Sequence, residues 1–200
     1  MFLDGDVLVR RGFLSAIRRG ALPGWFLGGK RLHLSEALTR RVLQERLPVW
    51  RWSALRWFAH QSRHLAGAGR ETRRPGLLLP LRDQHRPWRP GPGEFEVPYG
   101  AYGFFTGVSR ADFERVNGFD MRFVGWGWED EDLVVRLRRA GLRCGWPGPR
   151  ATLLHLDHAV PRGLHSANQA LAQETKTSMR IEAQLGLREV RAELAAEAGT

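Results

Sequence analysis

The chain is poor in the residues that cross-link a protein or anchor it in a bilayer. It has one cysteine, Cys144, which excludes an internal disulfide framework and leaves no thiolate metal cage. A reducing cytoplasm is the expected compartment, with Cys144 a small core filler. No uninterrupted apolar run is long enough to span a membrane, and Met1-Phe2-Leu3 runs directly into Asp4, unlike a secretory leader. Acids are also scarce: Asp and Glu number 21 against 31 Lys and Arg, a formal charge of +10. That balance favours an anionic partner, whether a nucleotide diphosphate, a nucleic acid or an acidic membrane surface, without choosing among them. The 42% hydrophobic content over 200 residues is enough for one core of single-domain size.

Scarce as they are, four acids stand together. Gly125-Trp126-Gly127-Trp128-Glu129-Asp130-Glu131-Asp132 places consecutive carboxylates after a glycine-hinged aromatic turn. Acids suit the first turn of a helix, where the dipole and free backbone N–H groups favour negative charge. The following Leu133 to Gly141 reads as such a helix, with Leu133, Leu137 and Ala140 on one stripe, arginines in the last turn and glycine at the stop. Capping needs only one or two acids, so the cluster also points to the handling of a cation, a sugar or a proton.

Elsewhere the opening Met1 to Val9 reads as the end of a buried strand, an acid-glycine-acid turn and a second short apolar stretch. A buried strand needs neighbours, so an upstream portion is expected. Residues 35–66 read as helical, with Ser35 as N-cap, a break at Pro48 and a basic, tryptophan-bearing half from Trp50 to Phe58. Gly67 to Pro98, rich in Arg, Pro and Gly, reads as an extended loop. Tyr99 to Val108 reads as a strand whose glycines permit close backbone approach. Ser109-Arg110-Ala111-Asp112 starts a short helix ending near Asn117-Gly118. Ala151 to Leu156 reads as a strand and Ala167 to Ala198 as a helical tail.

Two further clusters carry chemistry. Asp4-Gly5-Asp6 sets two carboxylates at a strand end and suits Mg²⁺ or Mn²⁺, hard ions that share carboxylate and phosphate oxygens. His155-Leu156-Asp157-His158 closes another strand. Alternation puts His155 and Asp157 on one face and His158 on the other, unless the strand stops first.

In order, FLDGD, GFFTGVSRADFERVNGFD, GWGWEDEDLVVRLRRAGLR and HLDH resemble the C-terminal half of GT-A glycosyltransferases, particularly the galactosyltransferase-like group that includes β-1,4-galactosyltransferases and related bacterial family 2 enzymes. Asn117-Gly118-Phe119-Asp120 followed by Gly125 to Asp132 is the most specific part. The resemblance implies an α/β chain with a partial, Rossmann-like GT-A fold that lacks its N-terminal nucleotide-binding strands. It would be a single domain over 1–200, with a helical and loop insertion at 35–98, an acceptor and catalytic region at 99–165 and a helical tail at 166–200. The implied activity is metal-dependent, inverting transfer of a sugar from a nucleotide diphosphate donor, a UDP-sugar, to a hydroxyl on a glycan or lipid-linked acceptor. The implied roles are Asp6 as ligand to Mn²⁺ or Mg²⁺ at the donor, Asp4 as an assisting contact to donor or ion, His158 as the histidine ligand with His155 as the alternative, Trp126 and Glu129 at the acceptor, and Asp130 at the acceptor and as base. Without the upstream strands, weak donor binding is expected of this chain alone.

The residues support this chemistry independently. Departure of a diphosphate from an anomeric carbon needs positive charge, and the incoming hydroxyl needs a base. Like-charged neighbours push a carboxyl's pKa up, while the helix dipole acts the other way. Trp126 between glycines can stack on a sugar and move with its loop. The competing readings are a nucleic-acid-binding module over Arg40–Arg89, a two-carboxylate glycosidase, a non-catalytic transferase fragment, and a peripheral contact of the basic tryptophan segment with the inner membrane surface.

Overall fold

A computed structural model describes residues 1–53, 55–57, 86–87, 103–159 and 165–199. In chain order the elements are β1 (Phe2–Leu3), β2 (Val7–Leu8), α1 (Phe13–Gly20), β3 (Trp25–Gly28), β4 (Lys30–His33), α2 (Glu36–Gln44), β5 (Arg86–Pro87), β6 (Phe105–Gly107), α3 (Arg110–Arg115), α4 (Glu129–Arg139), β7 (Arg143–Trp146), β8 (Thr152–His155), α5 (His165–Ser178) and α6 (Leu187–Ala198), with single 3₁₀ turns at Val49–Arg51 and Pro149–Ala151. The chain is mixed α/β with two open mixed sheets.

The larger sheet has the order β1-β6-β3-β7-β5; only β3 and β7 run parallel, and the other pairs are antiparallel. The smaller has the order β2-β8-β4, with β8 and β4 parallel. Among the described residues, three runs of chain pass from the larger sheet to the smaller: Asp4-Gly5-Asp6 joins β1 to β2, Gly29 joins β3 to β4, and residues 147–151 join β7 to β8. Gly29 allows its crossing because a Cβ there would lie 2.7 Å from Phe105 Cδ1, closer than packed carbon atoms approach. The first crossing carries the acid pair, and β8 ends beside it.

Alternation along β3 explains the layers. Phe26 turns to α4, where it packs with Val116, Leu133, Val134, Leu137, Leu142 and Cys144. Leu27 turns to α1, against Phe13, Ala16, Phe104, Phe105, Ala151 and Leu153. Helices therefore cover both faces of the larger sheet. A third cluster lies under α2 and contains Leu32, Leu34, Leu38, Val42, Val49, Trp57 and Leu154. Cys144 is buried as expected, and burial pushes its thiol up to about 12, too high for a thiolate at neutral pH.

Several boundaries differ from the sequence reading. The opening strand is not buried: β1 is a two-residue edge strand, with Phe2 half-buried and Leu3 exposed. Ser35 does cap α2, its Oγ accepting the Leu38 N–H at 3.2 Å, but the helix stops at Gln44 rather than running on toward Pro48. In the basic tryptophan segment, Trp57 is buried in the cluster under α2 and Trp50 and Trp52 pack against it, so these indoles turn to the core. Most of the Gly67–Pro98 loop, residues 99–102 of the expected strand, and most of Arg40–Arg89 beyond Trp57 lie outside the described residues. Arg86–Pro87 is described, and it forms the edge strand beside β7, a position in a sheet where proline is tolerated. The helical tail is two helices, broken between Met179 and Gly186.

Around α4 the amphipathic reading was too narrow. Leu133 and Leu137 are buried as the stripe required, but so are Val134, Val135, Asp132 and Arg136. The sheet covers one side of α4 and α5 covers another, so no broad face is left to water.

Candidate active site

The acidic run starts α4, with Trp128 at the N-cap in the left-handed region (φ 76°) and Gly125 and Gly127 also at positive φ (80° and 100°). A non-glycine residue there carries strain of order 1 kcal/mol. Trp126, between the two glycines, is 45% exposed. Its loop is tied down from α5: the buried Asn168 donates Nδ2–H to the carbonyls of Val124 at 3.1 Å and Gly127 at 3.0 Å.

From this start the four carboxylates diverge. Glu129 and Asp130 line a cleft of about 200 Å³ together with Asp4, Gly103, Thr106 and Phe119. The Gly103 N–H donates to Asp130 Oδ2 and the Glu131 N–H to Oδ1 at 2.8 Å, so both oxygens are oriented by backbone. Any Cβ at Gly103 would press on the Asp130 carboxyl at 3.0 Å, which accounts for a glycine in that stretch. Glu131 instead forms an ion pair with Lys176 of α5. Asp132 Oδ2 pairs with Arg136 at 2.6 Å, both side chains fully buried, and its Oδ1 accepts Thr175 Oγ–H at 2.7 Å.

Upward carboxyl shifts fall at the cleft. Burial, then the charges of Asp130 and Asp4, push the Glu129 carboxyl up against opposing backbone N–H groups, and its buried Oε2 has no hydrogen-bond partner among the described residues. Loss of water around the Asp4 carboxyl and then the charge of Asp6 push Asp4 up, while His155 and Arg31 oppose the shift. Asp4 is thus coupled by charge to Asp6 and His155 as well as to Asp130, with which it lines the cleft.

Beyond Asp4 the first crossing and the end of β8 meet. Asp6 Oδ2 lies 2.7 Å from His158 Nε2 and 3.4 Å from His155 Nε2. One potential ligand atom from each of the three residues falls within 4.8 Å of the others. β8 ends at His155, so alternation no longer governs His158 and both histidines reach the same carboxylate. Each Nδ1 contacts a backbone carbonyl, His155 with Leu156 at 2.7 Å and His158 with Ala159 at 3.0 Å. A carbonyl only accepts, so each Nδ1 carries the hydrogen, and a neutral ring then turns the Nε2 lone pair toward Asp6. Two imidazole lone pairs and a carboxylate sharing one point call for a cation or a proton between them. Asp6 Oδ1 is also buried and has no hydrogen-bond partner among the described residues. Burial lowers the His155 pKa and disfavours the protonated ring, with Asp6 opposing that shift. This donor set therefore fits a divalent cation.

Six of the residues given site roles in sequence are thus brought to two adjoining places, Asp4, Glu129 and Asp130 at the cleft and Asp6, His155 and His158 beside it; Trp126 stands outside both, on the loop leading into α4. The sequence reading assigns Glu131 and Asp132 to supporting the helix start, but it missed their partners Lys176, Arg136 and Thr175, and it missed the contacts of Asn168 and Asn117. Asn117 is buried at φ 61°, donates Nδ2–H to Ala183 O and Glu189 Oε2, and accepts the Arg188 N–H. An Asn-Gly pair at a helix end signals a turn but not the distant segment it will bind.

Residues 92–159 match the family model described as the N-terminal domain of galactosyltransferase. The chain is 40% identical over 57 residues to β-1,4-galactosyltransferase 2 of Cricetulus griseus, covering 28% of this chain and 15% of that protein. It is 40% identical over 50 residues to the human β-1,4-galactosyltransferase 4, covering 25% and 14%. Against β-1,4-galactosyltransferase 5 of Danio rerio it is 39% identical over 54 residues, covering 26% and 14%. The aligned stretches span about one-seventh of the length of these relatives. The fold is compatible with an α/β glycosyltransferase domain, and the matches support a galactosyltransferase-like glycosyltransferase.

Proposed function

We propose that this chain carries the catalytic part of a metal-dependent, inverting glycosyltransferase of GT-A type, moving a sugar from a nucleotide diphosphate donor, a UDP-sugar, to a hydroxyl of a glycan or lipid-linked acceptor. The observation that carries it is the convergence of three separate sequence clusters: Asp6 against His155 and His158, and Asp4 between that group and the Glu129–Asp130 cleft.

In this reading Asp6, His155 and His158 hold Mn²⁺ or Mg²⁺, both histidines serving where sequence left a choice. When bound, such an ion supplies positive charge to the donor's diphosphate. Asp4 contacts the donor. Asp130, fixed by the Gly103 and Glu131 N–H groups, retains lone pairs to take the proton of the attacking hydroxyl. The new bond from the acceptor oxygen to the anomeric carbon forms as the bond from that carbon to the diphosphate oxygen breaks; one displacement inverts the centre. Glu129, whose carboxyl burial pushes up, offers oxygens that can accept from an acceptor hydroxyl. Trp126 offers an apolar face to a sugar ring.

The test is Mn²⁺ titration by calorimetry together with sugar transfer from UDP-sugars. Asp6→Ala is expected to weaken Mn²⁺ binding by at least about tenfold. Asp130→Asn should bind the ion normally and transfer about 10²–10⁴-fold more slowly. Transfer undiminished in Asp130→Asn, or unaffected by chelator, would overturn the reading.

A further inference from the structure

From Val7 to Ser35 the chain has no acid and six bases, Arg10, Arg11, Arg18, Arg19, Lys30 and Arg31. The structure folds much of that charge onto one surface. Helix α1 buries Phe13, Ala16 and Gly20 against the larger sheet. Its opposite side, at the spacing 11, 14, 18, presents Arg11, Leu14 and Arg18, all exposed, with Arg19 beside them. The same line continues into the exposed turn after the helix at Leu22. Arg150, in the 3₁₀ turn under α1, adds another exposed cation near Gly12. Leu14 is 63% exposed and Leu22 44%. Among the described residues neither Arg11 nor Arg18 makes an ion pair, and the first turn of α1 has neither an acid nor a side-chain cap.

We infer that this face of α1 docks on an anionic lipid surface. Charge complementarity sets the sign of the occupant: a face of arginines without acids attracts negative charge over a Debye length. The leucines set its class. Exposed aliphatic side chains gain nothing from a phosphate or a base edge, yet they gain free energy on entering the headgroup and acyl boundary, and arginines flanking them can stay at headgroup level. A nucleic-acid surface would instead offer aromatic platforms. The nearby Trp25 ring is covered by the Arg143 guanidinium, 4.4 Å from its centroid. The face lies across the larger sheet from α4, so docking leaves the acidic helix on the other side. The inference is independent of the sugar-transfer reading, because none of its residues lines the cleft or the Asp6 cluster.

The experiment is flotation of the full chain with vesicles of phosphatidylcholine alone or mixed with phosphatidylglycerol, at low and high salt. Binding is expected only to the anionic vesicles, with strong weakening by salt. Each arginine neutralised should cost about fivefold in partitioning. Arg11→Gln/Arg18→Gln should therefore bind about 25-fold more weakly, and Leu14→Ser should weaken binding at every salt concentration. Near-UV circular dichroism of both variants should match the wild type, because these side chains lie outside the core. Absence of binding to anionic vesicles, or binding unchanged in Arg11→Gln/Arg18→Gln, would overturn the inference. So would a duplex oligonucleotide binding more tightly than the vesicles with Leu14→Ser without effect, since that result assigns the face to nucleic acid.

Discussion

Glu129 and Asp130 face a cleft, whereas Glu131 and Asp132, their immediate neighbours, face helix α5. In the first pair an oxygen is buried without a partner among the described residues and burial lifts the Glu129 carboxyl. In the second pair both carboxylates meet a cation, and Asp132 is satisfied on both oxygens. Identical chemistry at adjacent positions is thus divided by helix geometry: successive residues turn through about 100°, so two look into the cleft and two into the protein. An unsatisfied polar group costs stability and is retained where something else is to be bound. A satisfied one holds the helix in place so that its neighbours point correctly.

The sharpest way to break this comparison is to remove one acid of each kind. Asp132→Ala leaves Arg136 buried with no countercharge and is expected to lower stability by about 3–5 kcal/mol, read from urea unfolding. Asp130→Asn keeps one of the two oxygens that accept backbone N–H groups, so it should cost only about 1–2 kcal/mol while abolishing most turnover. If both variants unfold alike, the division is wrong.

A smaller effect concerns the loop in front of the run. Asn168→Ala removes two hydrogen bonds to the carbonyls on either side of Trp126 and should cost about 1–2 kcal/mol. Amide exchange should quicken at residues 124–127, and acceptor KM should rise more than kcat falls. Unchanged exchange there would mean that Asn168 does not hold the loop.

The smallest effect is in pH dependence. The folded Glu129 carboxyl is raised above its ordinary 4.5, so the folded state keeps that proton longer and stability falls as pH climbs through this window. Glu129→Gln should remove that slope. Asp120 behaves oppositely: burial would raise its pKa, but the Arg122 side chain and the N–H groups of Arg122 and Gln184 more than offset this and hold it below its ordinary 3.8. Its contribution is present above that value and lost as pH falls through the folded pKa, a loss that Asp120→Asn should eliminate. Urea midpoints across the acid range distinguish the two slopes.

Local signals were legible where the cause is local. Ser109 caps α3, its Oγ accepting the Asp112 N–H at 3.0 Å, and Asn117-Gly118 ends that helix as read. The strand before the HLDH cluster and the helix after the acidic run were legible for the same reason. The end of α2 at Gln44 was missed because nothing in the local pattern before Pro48 forces a stop there. The half-exposed β1 was missed because apolar residues at an edge read like apolar residues in a core.

The chain's own order of residues determined which groups are chemically unusual: two acids about a glycine, four acids after a tryptophan turn, two histidines about Asp157. It also determined that α4 begins where the acids do, since capping and dipole act within a turn. Which partners hold Glu131 and Asp132, the pair expected to support the helix start, was left to the packing of the folded molecule. The choice between His155 and His158 became both because β8 stops at His155, and the crossing from β1 to β2 set Asp6 against them. Asp132 became structural because Arg136, one turn on, and Thr175, from a helix 43 residues away in sequence, close around it. Such partners are set by packing of distant elements, and no spacing along the chain encodes them.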